Sequence, residues 1–281
     1  MQASKIAFQG ELGAFSHAAA LAMFPKGEVV PCATFADTIA SVQEGHAELA
    51  VVPIENSLYG RITDIHHLLP ESGLTIVGEH FEPISMNLLG VPGSTLDQVV
   101  AAQSLSVALG QCRKFIKKRN LRVVQALDTA GSAREIAQNA DPTVAAITSK
   151  LAGQIYGLEV LAENIEDADH NTTRFLALSR SESTTLASPP GDAGWKTTFV
   201  FQVRNVPAAL YKTMGGFATN GVNMTKLESY MSDGSFTATQ FYADIEGHPD
   251  DHSVKLAFEE LNFFTSYFKL LGVYPANPRS G

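Results

Sequence analysis

The segment Ser181-Glu182-Ser183-Thr184-Thr185-Leu186-Ala187-Ser188-Pro189-Pro190-Gly191-Asp192 separates two hydrophobic rhythms, and the chain must fold around that break. The segment is small, polar and proline-bearing, without an apolar period, so 181–193 reads as a linker. Before it, short apolar runs alternate with helical patterns. Strands are predicted at Ile6-Ala7-Phe8, Leu49-Ala50-Val51-Val52, Leu74–Val77, Leu88–Val91, Ser106-Val107-Ala108 and Val144–Ile147, with Pro53 ending the second. Helices are predicted from Ser16 through Met23, and after a Thr34 cap with Phe35, Ile39 and Val42 on one face and Gly45 as the stop. This order is that of an α/β chain with largely parallel sheets.

After the linker the period changes. Phe199, Phe201 and Val203 alternate with polar or smaller neighbours, as in a strand. Pro207 opens a helix carrying Leu210, Met214 and Phe217, with Gly221 at its end. A strand from Val222 to Met231 turns through Ser232-Asp233-Gly234 into a partner from Phe236 to Ile245. A helix with Val254, Ala257, Phe258 and Leu261 on one face leads to a last strand with Phe268, Leu270 and Val273. The order is βαββαβ, the split βαβ or ferredoxin-like unit.

The 281 residues are 45% hydrophobic and 17% charged, which supplies a substantial core. A formal net charge of −9 disfavours nucleic acid as a partner. The basic cluster Arg113-Lys114 with Lys117-Lys118-Arg119 has helical spacing and reads as a solvated helix face. Two cysteines, Cys32 and Cys112, make no disulfide framework, and no apolar stretch approaches a membrane span. The expectation is a cytosolic protein without a leader and without membrane contact, its thiols reduced and buried.

Three polar loops carry candidate chemistry. Gly10 and Gly13 precede Phe15-Ser16 between a strand and a helix, where backbone can approach a ligand and free amides face an anion. An ordinary tight turn with Ser16 as N-cap explains the same residues. Val52-Pro53-Ile54-Glu55-Asn56-Ser57 leaves a strand at its carboxyl end, where ligands gather in open α/β sheets. Asp169-His170-Asn171-Thr172-Thr173-Arg174-Phe175 runs donors into an apolar segment. It lacks a strong base, so its chemistry is proton donation to a leaving group beside a bound carboxylate. His66-His67 and the Asp167, Asp169, His170 group lack metal-ligand spacing, so no metal and no cofactor is expected.

Together these motifs resemble the prephenate dehydratase family. The resemblance rests on Gly10-x-x-Gly13-x-Phe15-Ser16, Val52–Ser57, Ala108-Leu109-Gly110-Gln111-Cys112, Asp128-Thr129-Ala130, Tyr156-Gly157-Leu158 and Asn171-x-Thr173-Arg174-Phe175. The βαββαβ tail resembles an ACT domain, an amino-acid-binding regulatory module. The family resemblance implies a catalytic domain over 1–180 with two lobes like a type 2 periplasmic binding protein. Lobe 1 would span about 1–79 and 164–180, and lobe 2 about 80–163, with crossings near Glu79–Pro83 and Glu163–Asp167. The ACT domain would span 194–281.

The implied reaction converts prephenate to phenylpyruvate with loss of water and CO2, in phenylalanine biosynthesis. Thr173 would donate a proton to the leaving oxygen, Arg174 would pair with a carboxylate, and Phe175 would exclude water. Ser16, Asn56, Ser57, Thr129, Asn171 and Thr172 would bind substrate. Phenylalanine would act as effector at Ala209, Leu210, Asn223, Met224, Thr225, Glu228 and Ser229, across a homodimer or homotetramer. Two readings compete: an arogenate dehydratase, with Glu55 facing an ammonium, and a non-catalytic two-lobed sensor of small acids.

The sequence departs from the family where a His-Pro pair usually precedes Ala108; here Leu105-Ser106-Val107 stands. The family's Gly-Ala-Leu appears as Ala208-Ala209-Leu210, and its Glu-Ser-Arg-Pro as Glu228-Ser229-Tyr230-Met231.

Overall fold

The structure, a computed structural model, describes residues 4–180, 194–204, 206–231 and 238–277. The linker 181–193 and the turn 232–234 therefore lie outside the described residues. The first elements are β1 (Lys5–Gln9), α1 (Phe15–Met23), β2 (Glu28–Cys32), α2 (Phe35–Gln43), β3 (Leu49–Asn56), β4 (Gly60–Arg61), α3 (Thr63–Glu71) and β5 (Thr75–Pro83). Next come β6 (Asn87–Gly90), β7 (Ala101–Leu105), α4 (Ser106–Gln111), α5 (Arg113–Lys118), β8 (Arg122–Ala126), α6 (Thr129–Asn139), β9 (Val144–Thr148), α7 (Lys150–Tyr156), β10 (Glu159–Ala162) and β11 (Thr172–Ser179). The C-terminal part comprises β12 (Trp195–Val203), α8 (Ala209–Thr219), β13 (Met224–Met231), β14 (Ala238–Glu246), α9 (His252–Phe264) and β15 (Thr265–Pro275). The described residues form two compact units, one from 1–66 with 80–175, the other from 67–79 with 176–281.

The first unit is two-lobed, with one sheet region in each lobe. In one lobe β1 pairs in parallel with β2 and β3, in register Ile6↔Val29 and Ile6↔Leu49. Both faces of β1 are covered, so Ile6, Ala7 and Phe8 are all fully buried. α2 begins with a full capping box: Thr34 Oγ1 accepts from Asp37 N at 3.0 Å and Asp37 Oδ2 from Thr34 N at 3.1 Å. The other lobe holds a sheet in the order β10-β6-β9-β7-β8. There β7 runs parallel to β8 and β9, whereas β6 is antiparallel to β9 and β10. Alternate residues serve opposite faces: Leu88 and Ile147 pack with Leu109 and Cys112, and Leu89 and Ala146 with Ala130, Ala133 and Ile136.

Three sequence readings are corrected here. Ser106-Val107-Ala108 is the start of α4, and the strand lies just before it at Ala101–Leu105. The small residues Ala101 and Ala102 supply the buried strand, a signal weaker than the β-branched Val107, which is 46% exposed on the helix. β3 does not end at Pro53 but continues to Asn56. Its pairing to β1 stops at Phe8↔Val51, so the missing Pro53 N–H removes no bond from that ladder. The helix predicted from Ser16 starts at Phe15, with Ala14 rather than Ser16 as N-cap.

In the second unit β13, β14, β12 and β15 form an antiparallel sheet in that order. One face carries Phe199, Phe201, Phe241 and Ile245 against Phe217 of α8 and Leu261 of α9. Phe199 stacks on Phe217 at 5.9 Å and meets Phe258 edge-on at 5.2 Å. The opposite face is polar but buried. Thr198 Oγ1 contacts Asp244 Oδ1 at 2.6 Å and Tyr274 Oη at 2.7 Å. Lys196 Nζ reaches Glu79 Oε1 at 2.7 Å and Oε2 at 3.0 Å, and Asn277 N donates to the same Oε1 at 3.1 Å. β5 joins this sheet beside β15 through Gly272↔Ile76, where a Cβ on Gly272 would lie 2.2 Å from Ile76 O.

Gly13, with φ +93°, also makes a close approach, and the partner is protein. A Cβ there would sit 2.6 Å from Ala152 Cα, while Ser149 Oγ donates to Gly13 O at 2.5 Å. Gly13→Ala therefore meets both an unfavourable φ and a backbone collision. The variant should lose about 1–3 kcal/mol, the usual cost of overpacking, seen as a lower urea midpoint. An unchanged midpoint would show that this contact does not hold the two lobes.

Candidate active site

The end of β3 and the start of β11 lie together although more than a hundred residues separate them in sequence. Ser57 N donates to Thr172 O at 2.9 Å, Thr172 N donates to Ser57 Oγ at 3.0 Å, and Ser57 Oγ donates to His170 O at 2.8 Å. Asn56 Nδ2 donates to Asn171 Oδ1 at 2.8 Å and Thr173 Oγ1 at 3.0 Å, with Thr172 O at 3.3 Å. Asn56 Oδ1 accepts from Leu58 N at 2.9 Å and Tyr59 N at 3.1 Å, which holds the chain in an Asx turn as it leaves β3. Thus Asn56, Ser57, Asn171, Thr172 and Thr173 form one hydrogen-bonded group.

Strand alternation splits the motif in two. Successive side chains on a strand point to opposite faces, so Arg174 faces away from Thr173, and Glu55 away from Asn56. On that far face Arg174 Nη1 donates to Glu55 Oε1 at 3.0 Å. Its guanidinium carbon lies 6.0 Å from the Phe81 ring centre, and the residue is only 4% exposed. Phe175 returns to the Thr173 side of the strand and is buried. The structure therefore groups Thr173 with the amides and sets Arg174 against a carboxylate of its own chain.

Ser16 and Thr129 sit at helix starts, and among the described residues neither hydrogen-bonds to the Asn56 group. Ser16 is buried in the first turn of α1, whose Ala14 cap supplies no side-chain bond, leaving first-turn amides for another partner. Thr129 opens α6, where Asp128 Oδ1 already accepts from Gly131 N at 2.6 Å and places a carboxylate at the helix end. His17, stacked on Phe8 at 5.4 Å, accepts from Gly13 N at Nδ1, so its proton is on Nε2. Burial lowers its pKa and favours this neutral form.

A cleft of about 360 Å³ adjoins the Asx turn, lined by Leu58, Tyr59, Gly110, Gln111, Glu166, Asp167 and Ala168. Gln111 Oε1 is buried there with no hydrogen-bond partner among the described residues. The Ala-Leu-Gly-Gln-Cys run signals this place in the sequence, but nothing in the run itself marks Gln111 as a wall of the cleft. The neighbouring Cys112 is fully buried, and burial, followed by Glu166 and Asp167, pushes its thiol up to about 12, which makes it inert as a nucleophile. Cys32 is only half-buried. His66, by contrast, is 2% exposed. Among the described residues no group of three or more His, Cys, Asp or Glu is placed to hold a metal ion. None of the described helices is long and apolar enough to cross a membrane.

In the second unit Ala209 and Leu210 lie in the first turn of α8, and Met224, Thr225, Glu228 and Ser229 on β13. Asn223, just before β13, donates from Nδ2 to Glu246 Oε2 at 3.0 Å, and Thr225 Oγ1 donates to Asp244 O at 3.4 Å. Lys226 Nζ lies 3.2 Å from Glu228 Oε1, so a cation is already present at that carboxylate. Ala208, the position where the family pattern has glycine, caps α8 at φ +61°. A left-handed alanine costs about 1–2 kcal/mol, of which glycine's entropy takes back part. Ala208→Gly should therefore raise the melting temperature; an unchanged or lower value would mean the cap is not strained.

The family model for prephenate dehydratase matches residues 6–183. A bifunctional N-acyl-homoserine lactone acylase/prephenate dehydratase from Komagataeibacter europaeus is 50% identical over 97% of this chain and 96% of its own. An arogenate dehydratase/prephenate dehydratase from Arabidopsis thaliana is 36% identical over 96% of this chain and 72% of its own. The crystal structure of a prephenate dehydratase from Arthrobacter aurescens in complex with L-Phe superposes with a TM-score of 0.86 at 30% identity, covering 97% of this chain and 90% of that one.

Proposed function

The chain belongs to the prephenate dehydratase family, and we propose that Thr173 is the proton donor with which it converts prephenate to phenylpyruvate. The observation that supports this reading is the Asn56–Thr173 bond, which holds a buried hydroxyl at the start of β11 beside the turn that leaves β3. The C–O bond of the ring hydroxyl breaks as the ring C–carboxylate bond breaks. The carboxylate leaves as CO2, its electron pair enters the ring, and the departing oxygen takes a proton to become water. Aromatisation drives the step, so a weak acid such as a threonine hydroxyl suffices when transfer and departure are concerted.

The rest of the site follows as part of the same proposal. Asn171, Ser57 and Thr172 shape the pocket beside Thr173, Phe175 shields it from water, and first-turn amides near Ser16 and Thr129 hold the anionic side chain. Arg174, paired with Glu55, braces β3 against β11 from the opposite face. The catalytic part spans 1–180 in two lobes of the periplasmic-binding type, 181–193 links it to an ACT domain over 194–281, and no metal takes part. The protein works in the cytoplasm as a homodimer or homotetramer.

Thr173→Ala should lower kcat by about two to four orders of magnitude with little change in KM, the signature of a lost proton donor. Release of CO2 and of ultraviolet-absorbing phenylpyruvate from prephenate measures it. A folded variant with near-normal turnover would sink the assignment. The same assay run with arogenate decides between the two substrates named among the relatives.

Phenylalanine is the proposed effector, supported by the L-Phe complex of the Arthrobacter aurescens protein and by the βαββαβ order of the tail. Its ammonium would meet Glu228 in competition with Lys226, and its carboxylate the amides near Ala209 and Leu210, with Asn223, Met224, Thr225 and Ser229 at the junction between copies. Tyr230 and Met231 stand where the family motif has arginine and proline, so binding should be weak, and inhibition limited to about 1–3 kcal/mol of coupling. Calorimetric titration alongside activity measurement tests this. Absence of both heat and inhibition at about millimolar phenylalanine, where weak sites fill, would leave the tail an assembly module.

A further inference from the structure

We propose that Asn56 is a positioning residue that fixes the direction of the Thr173 hydroxyl, and that Asn171 Nδ2 is a second donor to the substrate; this rests on the dehydratase reading above. The inference follows from the hydrogen bonds of one amide. Two backbone N–H groups, of Leu58 and Tyr59, converge on one end of the Asn56 side chain. A backbone N–H only donates, so that end is the carbonyl oxygen and the other end is the NH2 group. Its two hydrogens go to the nearer acceptors, Asn171 Oδ1 at 2.8 Å and Thr173 Oγ1 at 3.0 Å, with Thr172 O farther off at 3.3 Å.

The consequence passes to both partners. Thr173 Oγ1 accepts from Asn56, so its own hydrogen must turn away from Asn56. A threonine free to rotate would spend part of its time with that hydrogen on a neighbouring acceptor; here the group 3.0 Å from Oγ1 is a donor. Asn171 Oδ1 also accepts from Asn56, which orients its Nδ2 in the opposite sense. That nitrogen is buried, in a side chain 4% exposed, and has no hydrogen-bond partner among the described residues. An orphan buried donor is costly, and a substrate oxygen relieves the cost. The two backbone amides of the Asx turn thus determine that the site offers donors rather than acceptors to the leaving hydroxyl and to a second oxygen of the substrate.

The substitution Asn56→Asp separates this role from a structural one. An aspartate keeps the shape and still accepts from Leu58 N and Tyr59 N, but its second oxygen now accepts too. Thr173 then turns its hydrogen onto that oxygen and stops donating to substrate. Asn56→Ala leaves the hydroxyl undirected but not reversed. Steady-state kinetics with prephenate should show kcat falling about 100-fold or more for N56D but only about 10-fold for N56A, within the range of one proton donor. In a T173A background N56D should change kcat by no more than about 3-fold, since coupled residues are not additive. If N56D is milder than N56A, or costs as much without Thr173 as with it, Asn56 merely holds the turn or repels the substrate, and the proposal falls. N171D, which keeps the acceptor for Asn56 and removes the Nδ2 donor, should raise KM. It carries the test alone if N56D does not fold, and an unchanged KM would overturn the second half. Equal turnover by wild type and T173A would instead defeat the dehydratase role of Thr173 itself.

Discussion

The site depends on a tie between two chain segments that meet only in three dimensions. Asn56 at the end of β3 and Asn171–Thr173 at the start of β11 share hydrogen bonds in a partly buried position. Each such bond adds only about 1 kcal/mol net, but losing one partner would expose the other to the larger cost of an unpaired buried group. The pairing therefore specifies the arrangement more than it stabilises it.

Strand alternation gives this tie two unlike faces. On one, neutral amides and hydroxyls surround Thr173; on the other, Arg174 and Glu55 form an ion pair over Phe81. Breaking a buried pair by removing one member costs about 3–5 kcal/mol, because the remaining charge is stranded. Arg174 is held by that penalty as well as by its direct contact. The second unit uses the same device, with Glu79 wholly enclosed between Lys196 and the Asn277 backbone amide. That carboxylate lies in the segment 67–79, which packs with the C-terminal sheet although the chain order places it among the first strands.

Much of this was legible in the sequence. The Thr34 cap and the βαββαβ order were readable from local pattern, because turn chemistry and apolar period are local. The errors have a common cause. Ser106-Val107-Ala108 looks like a strand because Val107 is β-branched, but that side chain points into solvent from a helix. Pro53 looks like a strand end, but which ladder needs its N–H depends on the neighbours. Arg174 adjoins Thr173 in sequence, and in a strand adjacency means opposite faces. In the last strand Leu270 is 40% exposed whereas Leu271 is buried. A register shift against Thr198 and Phe199 moves the pattern by one residue, and no single-strand period announces it.

On the role proposed for Thr173, the placement of charge accounts for the choice of acid. A carboxylic acid beside the substrate would be ionised near neutral pH and would repel a dianion. A histidine would need its pKa held close to the working pH, and the buried His17 is pushed the other way, toward the neutral form. A threonine hydroxyl carries no charge and needs no tuning, at the cost of weak acidity. Prephenate makes up that deficit itself, since aromatisation supplies the driving force as the proton moves. What remains for the protein is direction, and in the role proposed for Asn56 direction comes from a neutral amide held at its oxygen by two backbone N–H groups.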